Sequence, residues 1–493
     1  MSSGVLTVLV IYGVLLFGIG LWGRRASGDV AGYYVAGKKL PSWVIAFSSN
    51  TTGESAWLLL GLTGMGYAVG IHALWIVLGE VLGVTLGWVF VASRFKEFTD
   101  RYDSVTIPDF LESRFRDTTN VFRWISLIII FSMVAAYTSA QFVALGKAFN
   151  SFLGMAHITG IIISAVIILF YTTVGGLKAV AYSDLLQGIL MFLGLLILPF
   201  VGLAAAGGWT DAMTTLRADD PALLAPMGSL GFTLPGVISA IGFVGVGLAF
   251  LGAPQLLIRF MSARSRRDIV DGGLIAVICV IVFDLGAVFA GMAGRAVFPG
   301  LLDQETILPV MTTELFPAVF TGIFLVIVLA ASMSTVDSLV IMASSAIARD
   351  VIQKIFKPDL TQSHVSTIGK VTTVVIGIFG VAFAIGEVPL IFWLVLFAWA
   401  GLASAFTPVV LCSLFWKRTT RAGAIAGMIA GFTTAVVFVL PGVKALTHDL
   451  YEMIPGFAAG FAACIAVSLF TQPPSDGVPE FDEVASVVGP PFG

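Results

Sequence analysis

Asn50-Thr51-Thr52-Gly53-Glu54-Ser55-Ala56-Trp57 interrupts an apolar segment long enough to cross a bilayer, and the reading of this stretch decides the fold. Asn50 to Ser55 are all polar or helix-weakening. Hydrocarbon contains no water to satisfy exposed backbone groups, so a break at membrane depth persists only where it is buried in protein or lines a wet cavity. There its freed carbonyls and amides become ligands. An intramembrane carboxylate such as Glu54 costs about 2.5–3.5 kcal/mol on insertion scales, which makes it a functional candidate unless a neighbouring helix merely supplies a partner. The pattern points to a transporter.

Composition agrees. The 493 residues are 58% apolar and 11% charged, with mean hydropathy +1.00, which excludes a water-facing surface of this size. The fold class is therefore an all-α polytopic membrane protein. A net charge of −3 spread over short loops gives no basis for nucleic-acid binding, and nothing implies an obligate protein partner. Cys279, Cys412 and Cys464 lie in apolar spans without metal-ligand spacing and read as packing. The N-terminus turns apolar at once, without a basic leader, and reads as a retained first span.

Hydropathy predicts one membrane domain over 1–471 with thirteen spans, followed by a Pro-rich, acidic tail, 472–493, expected to be disordered. The first span is about 5–23. Spans two to six occupy about 42–205, with the second at 42–66, the third at 73–92 carrying Glu80, and an inner turn at 175–184 ahead of the sixth. Spans seven to eleven occupy about 234–415; the eighth holds Asp284 and the ninth, about 320–346, holds a row of hydroxyls. Two flanking spans follow at about 422–440 and 456–470. Thr106-Ile107-Pro108-Asp109 reads as the start of a surface helix, with Pro in the first turn. With the N-terminus outside and the C-terminus cytoplasmic, only Lys147, Arg217, Arg295 and Lys444 of the 26 basic residues fall outside, as the positive-inside bias requires.

The seventh span carries Gly236, Gly242, Gly245, Gly247 and Gly252 before Pro254, so it too is expected to break. Two interrupted helices, each opening a group of five spans, predict an inverted repeat with a solute site between them at mid-bilayer.

Ala331, Ser334, Thr335 and Ser338 recur at i, i+3, i+4 and i+7, which puts three hydroxyls on one face of the ninth span. Such hydroxyls can bond back to their own helix or ease helix packing. With Asp337 in the same stretch, they also offer what a hard, oxygen-seeking cation needs. Asp184, at the inner mouth of the sixth span, suits either an N-cap or a ligand. Glu80 and Asp284 lack a local polar cluster, so interhelical pairing or a position near the interface is expected of both. Trp57 and Tyr137 read as packing unless a solute site lies beside them.

Ser55-Ala56-Trp57-Leu58-Leu59-Leu60-Gly61-Leu62, Gly175-Gly176-Leu177-Lys178-Ala179-Val180, Arg259-Phe260-Met261, Ala331-Ser332-Met333-Ser334-Thr335, Trp399-Ala400-Gly401 and Leu450-Tyr451-Glu452-Met453-Ile454-Pro455-Gly456-Phe457 extend the pattern over nearly the whole chain. In these stretches the chain resembles the sodium/solute symporter family, and within it the bacterial sodium/proline branch. The resemblance implies a LeuT-type core and sodium-driven uptake. Position by position it implies a sodium site from the carbonyls of Thr51, Glu54 and Ala331 and the hydroxyls of Ser334 and Thr335. A second sodium, found in some relatives, would use Asp184, Ser334, Asp337 and Ser338. The implied solute pocket comprises Thr52, Gly53, Ser55, Ala56, Trp57, Tyr137, Val246 and Phe250. The proline branch has an aspartate at the position of Gly53 and a methionine at that of Glu54, so the acid has moved by one residue, about 100° around a helix. Val246 and Phe250 replace a tryptophan and a phenol of that branch, and Asp337 stands where a small residue is common.

These readings converge on a sodium-coupled secondary active symporter of a bacterial-type cytoplasmic membrane, importing a small organic solute, proline or another small amino acid, by alternating access. The alternatives are a proton-coupled or non-proline, for instance carboxylate, symporter of the same fold, and a transporter-fold sensor. A sensor calls for an attached signalling domain, for which the tail has no room. Catalysis is not expected, because His72, His157, His364 and His448 fall in or near loops and form no metal or nucleophile set.

Overall fold

Inside a bilayer an apolar run satisfies its backbone within itself only as a helix. The computed structural model describes residues 3–385, 391–472 and 477–488. Among these residues it has no β-strand, and eleven continuous helices are long and apolar enough to cross a membrane. One crossing takes about 20 residues. Ser42–Arg101 has 60 residues and His157–Ala205 has 49, so each crosses twice and the thirteen expected spans are present.

The chain turns between the second and third spans at Gly70–Ala73. Within His157–Ala205 the helical path is interrupted only at Gly176 (φ 59°, ψ −165°), where a Cβ would lie 2.7 Å from the Tyr33 ring and 2.9 Å from its carbonyl. Helix resumes directly afterwards. The expected inner turn at 175–184 is thus reduced to one glycine, and Asp184 is buried within a helix, neither at its mouth nor at its N-cap. Thr106 does cap the helix Ile107–Phe115, accepting the Asp109 N–H at 3.1 Å.

Both expected breaks occur. In the second span Ser55 leaves the helical region (φ 57°, ψ −167°), and a wide turn, Trp57–Leu62, follows. The seventh span narrows to a 3-10 turn at Val246–Leu251, extends through Gly252 and Ala253, and restarts at Pro254. The ninth and eleventh spans form the centre, with 83% of the apolar window of each buried against protein, whereas the first, at 22%, faces outward.

The expected disorder of 472–493 does not hold over Gly477–Val488, which is helical. Its acidic and aromatic residues find partners on the basic surface after the third span. Glu480 accepts the Tyr102 hydroxyl at 2.8 Å and pairs with Arg116 at 2.5 Å, Glu483 pairs with Arg101, and Phe481 packs on Phe98.

Candidate ion and solute site

Ser55 holds a conformation that glycine enters freely and other residues enter at a cost of order 1–3 kcal/mol. Its surroundings offset that cost. The Ser55 hydroxyl accepts the Trp57 N–H at 3.1 Å and the Gln141 side-chain amide at 3.3 Å, while the Gln141 carbonyl oxygen accepts the Ala56 N–H at 3.2 Å. Gln141, on the fourth span, thus clamps the break. A lone amide in an apolar helix was the sequence signal for it.

Opposite the break stands the hydroxyl face of the ninth span. The Ser334 hydroxyl reaches the carbonyls of Thr51 (3.2 Å) and Ala331 (3.0 Å). The Thr335 hydroxyl reaches those of Thr52 (3.3 Å) and Ala331 (3.3 Å). Five neutral oxygens from two helices therefore meet in a buried place, a donor set suited to a hard monovalent cation. Thr51, Ala331, Ser334 and Thr335 are brought together as expected from the family resemblance. The Glu54 carbonyl is instead engaged by the Trp57 N–H, and the Thr52 carbonyl joins the set.

Asp184, Asp337 and Ser338 gather one turn further along, around a group that sequence reasoning left unassigned. The fully buried Arg259 guanidinium, from Pro254–Ser262, donates to Asp184 at 3.2 Å, to the hydroxyls of Thr52 (2.8 Å) and Ser48 (3.1 Å), to the Gln255 carbonyl (2.9 Å) and to Ser338. Ser48 also donates to Asp184 at 2.6 Å. Asp337 accepts the Tyr171 hydroxyl at 2.6 Å and that of Ser338 at 3.1 Å. A positive charge already stands between Asp184 and Ser338, where the resemblance had placed a second sodium, and Ser334 faces the first site.

The aromatic positions form two groups, one around Trp399 and one on Phe392. Phe250 meets Trp399 edge-on at 5.3 Å, Tyr137 meets the same ring at 6.4 Å, and Trp57 stacks on Phe392 at 5.4 Å. The Trp399 indole N–H donates to the Val246 carbonyl at 3.2 Å. Gly53 lies against Phe250, where a Cβ would come 2.7 Å from the ring. Val246 also lines a cavity of about 410 Å³ shared with His72, Phe243, Trp393 and Tyr451. The Thr52 side chain belongs to the Arg259 pocket, while Ser55 and Ala56 shape the break.

The family model of the sodium:solute symporter family matches residues 33–431. This chain belongs to that family. Members similar to it include the high-affinity proline transporter PutP of Bacillus subtilis (strain 168), 36% identical over 465 residues, covering 93% of this chain and 97% of the relative. The sodium/proline symporter of Staphylococcus aureus (strain USA300) is 34% identical over 481 residues, covering 95% and 93%. Among solved structures, a substrate-bound, outward-open Na+-coupled sialic acid symporter aligns with a TM-score of 0.82 at 18% identity, covering 96% of this chain and 99% of the other. MhsT in complex with L-phenylalanine aligns with a TM-score of 0.52 at 14% identity, covering 87% and 97%. These structures share the fold, a LeuT-type helical core.

Within this family fold, the three acids that looked isolated in sequence are not isolated in space. Glu54, Glu80 and Asp284 are buried together between the second, third and eighth spans, each with a carboxylate oxygen within 4.8 Å of the others. Glu80 and Asp284 thus meet across helices, with each other and with Glu54, so the expected interhelical contact is present and the expected position near the interface is corrected, both being buried; no base pairs with any of the three among the described residues.

Proposed function

We propose that this integral membrane protein is a sodium-coupled secondary active symporter that imports a small zwitterionic solute, proline or another small amino acid, by alternating access. One observation carries the reading. The carbonyls of Thr51, Thr52 and Ala331 and the hydroxyls of Ser334 and Thr335 meet where the broken second span touches the ninth. A sodium ion held there ties together the two elements that must move apart for release. The solute class is supported by the names of the proline-transporting relatives and by the aromatic wall of Tyr137, Phe250 and Trp399 beside the break. The basic residues support an outer N-terminus and a cytoplasmic C-terminus.

The test is uptake of labelled proline into proteoliposomes, with competition by unlabelled amino acids, sugars and carboxylates. An inward sodium gradient is expected to drive proline accumulation that small amino acids inhibit. Accumulation under a pH gradient without sodium would overturn sodium coupling. A second reading, proton coupling, is favoured by the Glu54 and Asp337 carboxyls beside the site, and the same pH-gradient arm decides it.

A further inference from the structure

Glu54 sits at the lip of the break, Glu80 on the third span and Asp284 on the eighth. All three side chains are buried, with exposures of 0, 2 and 0%. Both oxygens of Glu54, both of Asp284 and Oε2 of Glu80 meet no hydrogen-bond donor from outside the three acids themselves. Buried acids that serve only architecture are met by N–H or O–H groups. Here the donors close by are committed elsewhere. Asn50, one turn before Glu54, gives its amide to the Ala276 carbonyl at 2.7 Å, Gln141 gives its own to Ser55, and the Tyr451 hydroxyl bonds the Leu396 carbonyl at 2.9 Å.

The spacing and the charge define what is missing. Oxygens bind hard cations such as Ca2+ at about 2.3–2.6 Å, so ligands on opposite sides of one ion lie about 4.6–5.2 Å apart. One carboxylate oxygen from each of the three residues lies within 4.8 Å of the others, near enough for all three to reach one such ion. Carboxylates this close repel one another when ionised, and a cation among them turns the repulsion into attraction. The Asp184–Asp337 pocket differs, because Arg259 already supplies its positive charge.

We infer that Glu54, Glu80 and Asp284 form a binding site for a hard metal cation of the size of Na+ or Ca2+, distinct from the Ser334–Thr335 site. Glu54 adjoins Ser55, so an ion here also fixes the geometry of the break from its far side. The inference goes beyond the choice of solute and does not depend on it.

Equilibrium binding of 22Na+ and, separately, 45Ca2+ to the purified full-length protein without solute tests this, in four forms: unaltered, Ser334→Ala/Thr335→Ala, Glu80→Gln/Asp284→Asn, and all four changes together. Binding of one of the two ions is expected to survive Ser334→Ala/Thr335→Ala and to weaken tenfold or more when the two carboxyls become amides; the ion that responds identifies the occupant. If Ser334→Ala/Thr335→Ala binds neither ion, the triad holds no metal and the inference is overturned, a result that needs no triad variant to fold. Retention of full binding by the amide variant overturns it equally. Uptake is not read in this experiment, so a failure of sodium-driven transport is distinguishable from either outcome.

Discussion

Gly53 and Glu54 are neighbours on different faces of the broken helix, because each helical residue turns by about 100°. Gly53 gives room to Phe250, and Glu54 points away toward the third and eighth spans. In this chain a Cβ at 53 would lie 2.7 Å from the Phe250 ring. Gly53→Ala should therefore act as overpacking, costing about 1–3 kcal/mol. Thermal unfolding of purified protein should show a lowered midpoint that Phe250→Leu restores in the double variant; an unchanged midpoint for Gly53→Ala alone contradicts the contact. Arg259→Met should be more severe, about 3–5 kcal/mol, because it leaves Asp184 buried without its counter-charge. The companion Asp184→Asn/Arg259→Met should be the more stable of the two, and a double variant as unstable as the single one argues against the pair. The hydroxyl face was legible in the sequence because i, i+3, i+4 spacing is a property of one helix. Arg259 and the carboxylate triad were not, since each residue stands alone in its own segment and acquires partners only when helices distant in sequence pack.

At the scale of elements, spans and breaks were readable because hydropathy and Gly/Pro punctuation are local properties. The turn before the sixth span was misplaced for the same reason. Polar residues at 178–184 look like a loop, yet Ser183 bonds back to the Ala179 carbonyl of its own helix and Asp184 is met inside that helix by Ser48 and Arg259 from other spans. The terminal helix Gly477–Val488 escaped the reading because its composition matches a solvated tail and its partners lie on another element. Its ion pairs are well exposed, 39% for Arg101 and 59% for Glu483, and such pairs contribute about 0–1 kcal/mol each. Phe481, 8% exposed, contributes about 1.5–3 kcal/mol by burial. A spin label at Ser486 should accordingly gain mobility far more from Phe481→Ala than from Glu483→Ala. Equal effects would mean that charge, not burial, holds the helix.

At the scale of the molecule, the inverted arrangement puts two broken helices beside a buried, central ninth span, so an ion between the second and ninth spans ties a broken helix to the centre of the fold. Binding to the folded state alone adds RT ln(1 + [L]/Kd), about 2.7 kcal/mol at one hundred times Kd. Sodium without solute should thus raise the unfolding midpoint of the purified protein, and choline at equal ionic strength should not. The measurement closest to the central claim is the sodium concentration for half-maximal solute uptake in Ser334→Ala and Thr335→Ala proteoliposomes. Losing one oxygen ligand worth about 1–1.5 kcal/mol predicts a rise of roughly tenfold in each, with uptake recovered at saturating sodium. A sodium dependence unchanged in both variants would contradict the account.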